Sequence, residues 1–378
     1  ELFNRSQAIR LYPVEEKLWV AGTLPGVSLY DENVLPIGKI NYEDYFISDI
    51  FKDHEGNILI STFDKGVLII PDLNVPDVIQ SFKDDPINSL FGSNSAGLLM
   101  GSSQGKLFTF KDGTVKPLIT KGQRPIEGIY GFHGTEIIIL DNGTLQVLNM
   151  ATQKASVLFE SSLKDAVFIS KDVFMLGTNS GVVWCKREEN ETYTFKWIDE
   201  LHYRVFSLEY DSVSKTMYAA TANGLYSMDS KGDISKIVLD NKDVYPNFLI
   251  LDKSVLYAID KKHGILMIQN NKIIKTIKPS LNGVYLPISK IGIYNNTLLA
   301  KSSSGFYQFD MEGILLKSID ALFDLSSKRV IDFTILQNEL WVSHSGGVQK
   351  IDLNYKQRNI ELPVVRINQL LINDIEVK

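Results

Sequence analysis

The side chains able to do chemistry are sparse in this 378-residue chain and do not converge on a reactive site. Five histidines stand at positions 54, 133, 202, 263 and 344, and none has the H-x-x-x-H or His-x-Asp spacing that preorganises a metal. Cys185, the single cysteine, can build neither a disulfide nor a thiolate cluster within the chain and reads as a buried thiol. No G-x-S-x-G elbow, Walker A motif or dinucleotide fingerprint occurs. The acid pairs Asp84-Asp85 and Glu188-Glu189 fall in polar stretches, where a solvated loop is the default. No catalytic residue, metal site or cofactor is assigned, and the chain reads as a non-enzyme.

Aromatic and polar side chains in inter-strand segments are more suggestive. Sugar rings present apolar CH faces that stack on Tyr and Trp, while their hydroxyls need paired polar partners. The candidates for ligand contact are Tyr45, Arg124, Trp197, His202, Tyr203, Arg204, Tyr245, Asn247, Tyr285 and Arg329, with Tyr42 beside the first. The densest stretch is Trp197 to Arg204, whose alternative reading is a longer loop packed on the protein's own face. Trp19, Trp184 and Trp341 lie inside apolar runs and are expected to pack. His263 and His344 precede turn glycines, where a polar turn residue is expected.

The elements that must position these residues follow from a repeat. An apolar run, a turn glycine and a second apolar run recur around Gly26, Gly66, Gly105, Gly143, Gly181, Gly224, Gly264, Gly305 and Gly346, at intervals of 38 to 43 residues. Asn-Gly, Ser-Gly and Lys-Gly between apolar runs supply the positive φ of a hairpin turn. A further strand precedes each pair, as at Ala8 to Tyr12 or Val205 to Tyr210, and another follows, as at Ile234 to Leu239. Four short strands per unit, with no i, i+3, i+4 apolar pattern, predict an all-β fold. A four-stranded sheet with two apolar faces needs a neighbour on both sides, which ring closure provides. The expected fold is a β-propeller of four-stranded blades with about nine repeat units. It forms one large ring, or a roughly seven-bladed ring plus units of a neighbouring propeller; an open β-solenoid is the architectural alternative.

Composition agrees with a folded domain: 44% of residues are apolar and 22% charged. A net charge of -6 without a Lys/Arg run argues against nucleic-acid binding. No apolar run approaches the ~18 residues of a membrane helix. The chain begins at Glu1 without a signal peptide and is expected to be a piece of a longer precursor.

The signature at Leu18 to Asp31 (LWVAGTLPGVSLYD), echoed at Leu340 to Asp352, resembles the two-component regulator propeller repeat. That repeat is found in the extracytoplasmic sensor regions of Bacteroidetes-type hybrid two-component systems. The stretch Pro363 to Asp374 resembles the opening strand of the three-tyrosine β-sandwich module that follows such propellers. The resemblance implies propeller repeats over residues 1–362, a further module opening at 363–378, and a periplasmic, inner-membrane-anchored sensor that forms a homodimer at full length. It also implies a carbohydrate or oligosaccharide ligand, with nucleic-acid and membrane contact left to segments outside this chain. A protein-interaction scaffold without a small ligand, or a glycan-cleaving propeller, are the alternative functions.

Overall fold

The computed structural model describes residues 8–14, 18–23, 27–30, 36–40, 45–53, 58–70, 78–79, 82, 84–93, 96–131, 136–141, 143–281, 283–303, 305–319, 329–337, 339–345, 347–353, 371–372 and 375–376. The chain divides into two compact units, residues 1–75 with 354–378, and residues 76–353.

The larger unit is a ring of seven blades, numbered here in chain order. Their first strands, called A, are Ile87–Ser93, Ile126–Gly131, Leu163–Phe168, Val205–Asp211, Pro246–Asp252, Ile288–Tyr294 and Val330–Leu336. In blades 1 to 6, strands B, C and D follow in order, each antiparallel to the one before. Blade 4 adds a short fifth strand, Lys242–Asp243. Blade 7 takes strands A, B (Glu339–His344) and C (Gly347–Asp352) from the end of the unit. Its outermost strand is Val78–Ile79 from the beginning, with Val348 opposite Ile79. Of the two ring sizes the repeat allows, the structure therefore forms the seven-bladed one. The first two repeats lie in the smaller unit, as a four-stranded sheet (Ala8–Val14, Leu18–Thr23, Val27–Tyr30, Pro36–Ile40) and a three-stranded one (Ile47–Lys52, Ile58–Thr62, Val67–Ile70). Residues 363–370, where the resemblance to a following module begins, lie outside the described residues, apart from which Leu371–Ile372 pairs with Ile375–Glu376.

Packing explains why the blades close on one another. Strand B is buried on both faces; in blade 2 Ile138 and Leu140 pack toward blade 3, while Ile137 and Ile139 pack toward blade 1. An apolar cluster fills every gap between successive blades, including blades 7 and 1, where Trp341 lies 5.3 Å from Phe110. Fully buried Phe174, Phe306 and Phe309 each contribute roughly 1.5–3 kcal/mol of apolar transfer. Close approach needs small residues in strand B: a Cβ on Gly177 would lie 2.5 Å from Val205 Cγ1 of the next blade.

The repeat signature has a local cause. The last residue of strand B closes the B–C turn through its side chain. Thr178 Oγ1 donates to Gly181 O and accepts from the amides of Ser180 and Gly181. Thr221 does the same around Gly224, and Asp141 and Asp260 accept turn amides in blades 2 and 5.

Candidate functional site

Four antiparallel strands in the order A to D place the start of A, the end of B, the start of C and the end of D at one edge of a blade. The D–A connections and B–C turns therefore share one face of the ring. Hydrogen bonds tie them together: the first turn residue after strand B donates to the carbonyl just before strand A, as in Ser103 to Pro86, Asn179 to Ser162, Ala222 to Arg204 and Ser345 to Arg329.

On this face every strand A of the ring carries a bulge after its first residue. A bulge leaves one residue unpaired and re-aims its side chain. The unpaired residues are Asn88, Glu127, Lys164, Phe206, Asn247, Ser289 and Ile331. Strand A is the innermost strand, so they surround the mouth of the central channel. Neighbouring bulges are within reach of each other: Lys164 Nζ lies 3.6 Å from Glu127 Oε2.

An aromatic strip runs across blade 4 toward this mouth. Tyr203, in the D–A connection, stacks on Tyr226 of strand C with ring centroids 6.3 Å apart and planes 8° from parallel. Asn223 Nδ2 donates to Tyr226 Oη at 2.7 Å. Lys236 Nζ stands 5.6 Å from the Tyr226 ring and pairs with Asp243 at 2.5 Å, which raises the lysine pKa; the Tyr245 hydroxyl stands 3.5 Å from the same carboxylate. Closer to the axis, the Arg204 guanidinium lies 5.5 Å from the Phe206 ring. Tyr203, Phe206, Tyr245 and Trp197 are all more than a third exposed, so part of each side chain meets solvent. Open aromatic rings bordered by an amide, a carboxylate and an ammonium can hold a ring with one apolar face and polar edges.

The sequence candidates divide around the ring. Tyr203 and Tyr245 meet at blade 4, joined through Lys236 and Asp243. Trp197 ends strand D of blade 3, and His202 lies against the Gly181 turn. Tyr285 leads into blade 6 near Asp260, whose charge adds to burial in raising the tyrosine pKa. Asp260 itself accepts from Tyr245 N and from His263, whose Nδ1 lies 2.9 Å away. Arg124 lies over Gly143, where an added Cβ would meet Nη1. Arg329 precedes blade 7. Tyr45 belongs to the smaller unit, with Lys65 Nζ 4.4 Å from its ring, and Tyr42 lies outside the described residues. The sequence reading missed Phe206, Tyr226, Lys236 and Asp243. Phe206 and Tyr226 sit on strands, and only blade register reveals that both lie near the face.

The channel wall below the mouth holds polar clasps between blades. The Asp165 carboxylate of blade 3 accepts from Leu208 N at 2.7 Å and Ser207 Oγ at 3.0 Å in blade 4, from Tyr130 Oη at 2.5 Å in blade 2, and from Ala166 N at 2.9 Å. Asp332 of blade 7 repeats the clasp across the closing seam, accepting from Leu90 N of blade 1 at 2.9 Å. Burial raises the pKa of Asp165 despite these donors, and burial with the Asp165 charge raises Tyr130. Glu209 is pushed up to about 8, first by burial and then by Asp165, against backbone donors from Leu251 and Tyr210. Burial also raises the Cys185 thiol. Among the described residues, no three His, Cys, Asp or Glu side chains come together as a metal site.

No family model matches the chain, and no curated protein matches it. Among solved structures, the extracellular domain of BT4673 from B. thetaiotaomicron, described once as a one-component and once as a hybrid two-component system, is similar over 100% of this chain. It does so at 15% identity and a TM-score of 0.63, and the chain spans 57% of that domain's length. Virginiamycin B lyase of Staphylococcus aureus is similar over 72% of this chain and 96% of its own, at 10% identity and a TM-score of 0.58. YCF48 bound to D1 peptide is similar over 74% and 97%, at 11% identity and a TM-score of 0.57. At these identities the likenesses establish the fold, a β-propeller.

Proposed function

We propose that this chain is a ligand-binding propeller region of an extracytoplasmic sensor of the two-component type. The ligand is a saccharide bound on the D–A face of blades 3 to 5. The observation that carries the reading is the Tyr203–Tyr226 stack, open to solvent and bordered by Asn223, Lys236, Asp243 and Tyr245. Likeness to the BT4673 extracellular domain along the whole chain supports the sensor setting, a periplasmic location and a membrane anchor outside this chain. By the same reading, residues 363–378 open a further module and the full-length protein acts as a homodimer. Ligand binding then biases the output only through different affinity for two arrangements of the sensor.

The clasp chemistry weighs against the hydrolytic alternative. Asp165 accepts four hydrogen bonds from the protein and Glu209 is held by backbone amides, which suits structural staples better than an acid and base facing substrate.

The test is calorimetry of the chain against a panel of neutral and acidic oligosaccharides. A saccharide that binds should lose about fivefold or more in affinity with Tyr203→Ala, since an aromatic platform contributes roughly 1–3 kcal/mol when comparable stacking is removed. Failure of the whole panel, with capture of a protein partner through the same face, would overturn the saccharide reading in favour of a scaffold.

A further inference from the structure

Among the described residues, three cations gather at the channel mouth of blades 6 and 7. Lys290 and Lys301 lie opposite each other on strands A and B of blade 6, and Arg329 leads into strand A of blade 7. At the strand B position of Lys301, blades 1, 3, 4 and 7 have Gly101, Gly177, Ala220 and Ser343. A long cation thus stands where most of the other blades use a small residue to let their neighbours approach. Lys301 Nζ donates to the Ile331 carbonyl, at the blade 7 bulge. Lys290 Nζ donates to Asp332 Oδ1 at 2.5 Å and to Phe333 O at 3.2 Å. The other oxygen of Asp332 is engaged by Leu90 N, and the same carboxylate, Lys290 and Arg329 all lie near enough for their charges to act on Lys301. Burial pushes the Lys301 pKa down, and Lys290 and Arg329 push it further, against the pull of Asp332. Next to blade 6, at the bulge of blade 5, the Asn247 carboxamide oxygen is buried without a hydrogen-bond partner.

Cations that outnumber the one carboxylate shown to act on them, with an unpaired acceptor on the neighbouring blade, suit a ligand that brings both an anionic group and a hydroxyl. We infer that the blade 6–7 sector of the mouth is an anion subsite, in which Lys301 and Arg329 take the acid group of an acidic saccharide while Asn247 accepts from one of its hydroxyls. This rests on the reading of the face as a saccharide site and narrows its ligand class to sugars bearing a carboxylate or sulfate. The aromatic strip of blade 4 would take the neutral rings of the same chain.

The experiment titrates the chain with D-glucuronate, glucose 6-sulfate and glucose at constant ionic strength, up to about 100 mM, following protein NMR shifts; a millimolar site is expected for so small a ligand. Glucuronate should saturate at least tenfold more tightly than glucose. Lys301→Ser, which installs the residue blade 7 already uses, should abolish that advantage, and Arg329→Ala should reduce it several-fold. Glucose 6-sulfate with the same sensitivity to Lys301→Ser shows that the subsite reads charge; a response to glucuronate alone shows that it reads the planar carboxylate. No saturable response to either anion, equal binding of glucose and glucuronate, or glucuronate binding unchanged in Lys301→Ser would each overturn the subsite. Neutral oligosaccharide binding that falls with Tyr203→Ala would then still stand, so the two failures are distinguishable.

Discussion

Replacing Glu209 with Gln should make the protein more stable at alkaline pH and leave it almost unchanged in acid. Glu209 lies in strand A of blade 4, where burial and the Asp165 charge lift its pKa from an ordinary 4.5 to about 8. An acid whose folded pKa is raised binds its proton more tightly in the folded state. The associated stability is therefore fully present below pH 4.5, erodes as the unfolded chain ionises first, and is gone above about 8. At 1.36 kcal/mol per pH unit the displacement corresponds to roughly 4–5 kcal/mol, an upper figure because Asp165 titrates with it. Glutamine keeps the shape and an acceptor for the Leu251 and Tyr210 amides but never ionises. Urea denaturation of both proteins from pH 4.5 to 9 should thus give free energies that coincide at the acid end and separate by about 3 kcal/mol or more at the alkaline end, in favour of the variant. Parallel stability curves across that range would refute the buried, charge-coupled placement of Glu209.

Asp165→Asn leaves an amide NH2 facing either Leu208 N–H or Ala166 N–H, and an unsatisfied buried donor costs about 1–3 kcal/mol; a fall in urea midpoint at pH 7 is the expected result, and an unchanged midpoint would count against the clasp. Gly177→Ala drives a Cβ to 2.5 Å from Val205 Cγ1 between blades 3 and 4 and should cost about 1–3 kcal/mol, whereas in Gly131→Ala the nearest atom, Phe91 Cζ, is 3.3 Å away and the loss should be clearly smaller; equal midpoints for the two would contradict the interblade spacing.

The period of the fold is legible in the sequence because its cause is local. A Thr, Ser or Asp at the end of strand B and a glycine in the turn form one hydrogen-bonded unit, repeated in residues that read directly as turn chemistry. The ring size is not legible, because it depends on Val78–Ile79 pairing with a strand about 270 residues later, and a two-residue strand has no periodicity to detect. The candidate site shows the same division. That Tyr203, Tyr245 and Arg329 precede first strands follows from the repeat, and so does their common face. That Tyr203 and Tyr245 meet through Lys236 and Asp243, while Arg329 joins Lys301, depends on which blades are adjacent and how each bulge turns a side chain. A bulge has no residue signature: Asn, Glu, Lys, Phe, Ser and Ile all occupy it here. Lys301 was visible only as a departure from the small residues at its register position, and that register needs the structure.

The shared origin of blade 7 gives the molecule a particular wiring. The chain comes into the ring on Val78–Ile79 and leaves it on Gly347–Asp352, and these two strands are hydrogen-bonded to each other. The ring is therefore spliced into the smaller unit, whose sequence is interrupted at residue 75 and resumes at residue 354. Chain growth completes the last blade only after its other three strands have been made, so closing it is a late step that joins points far apart in sequence, at an entropic cost on the order of 5 kcal/mol. Both covalent connections then issue from one blade, and a strain applied to that blade reaches the flanking sequence along two leads at once.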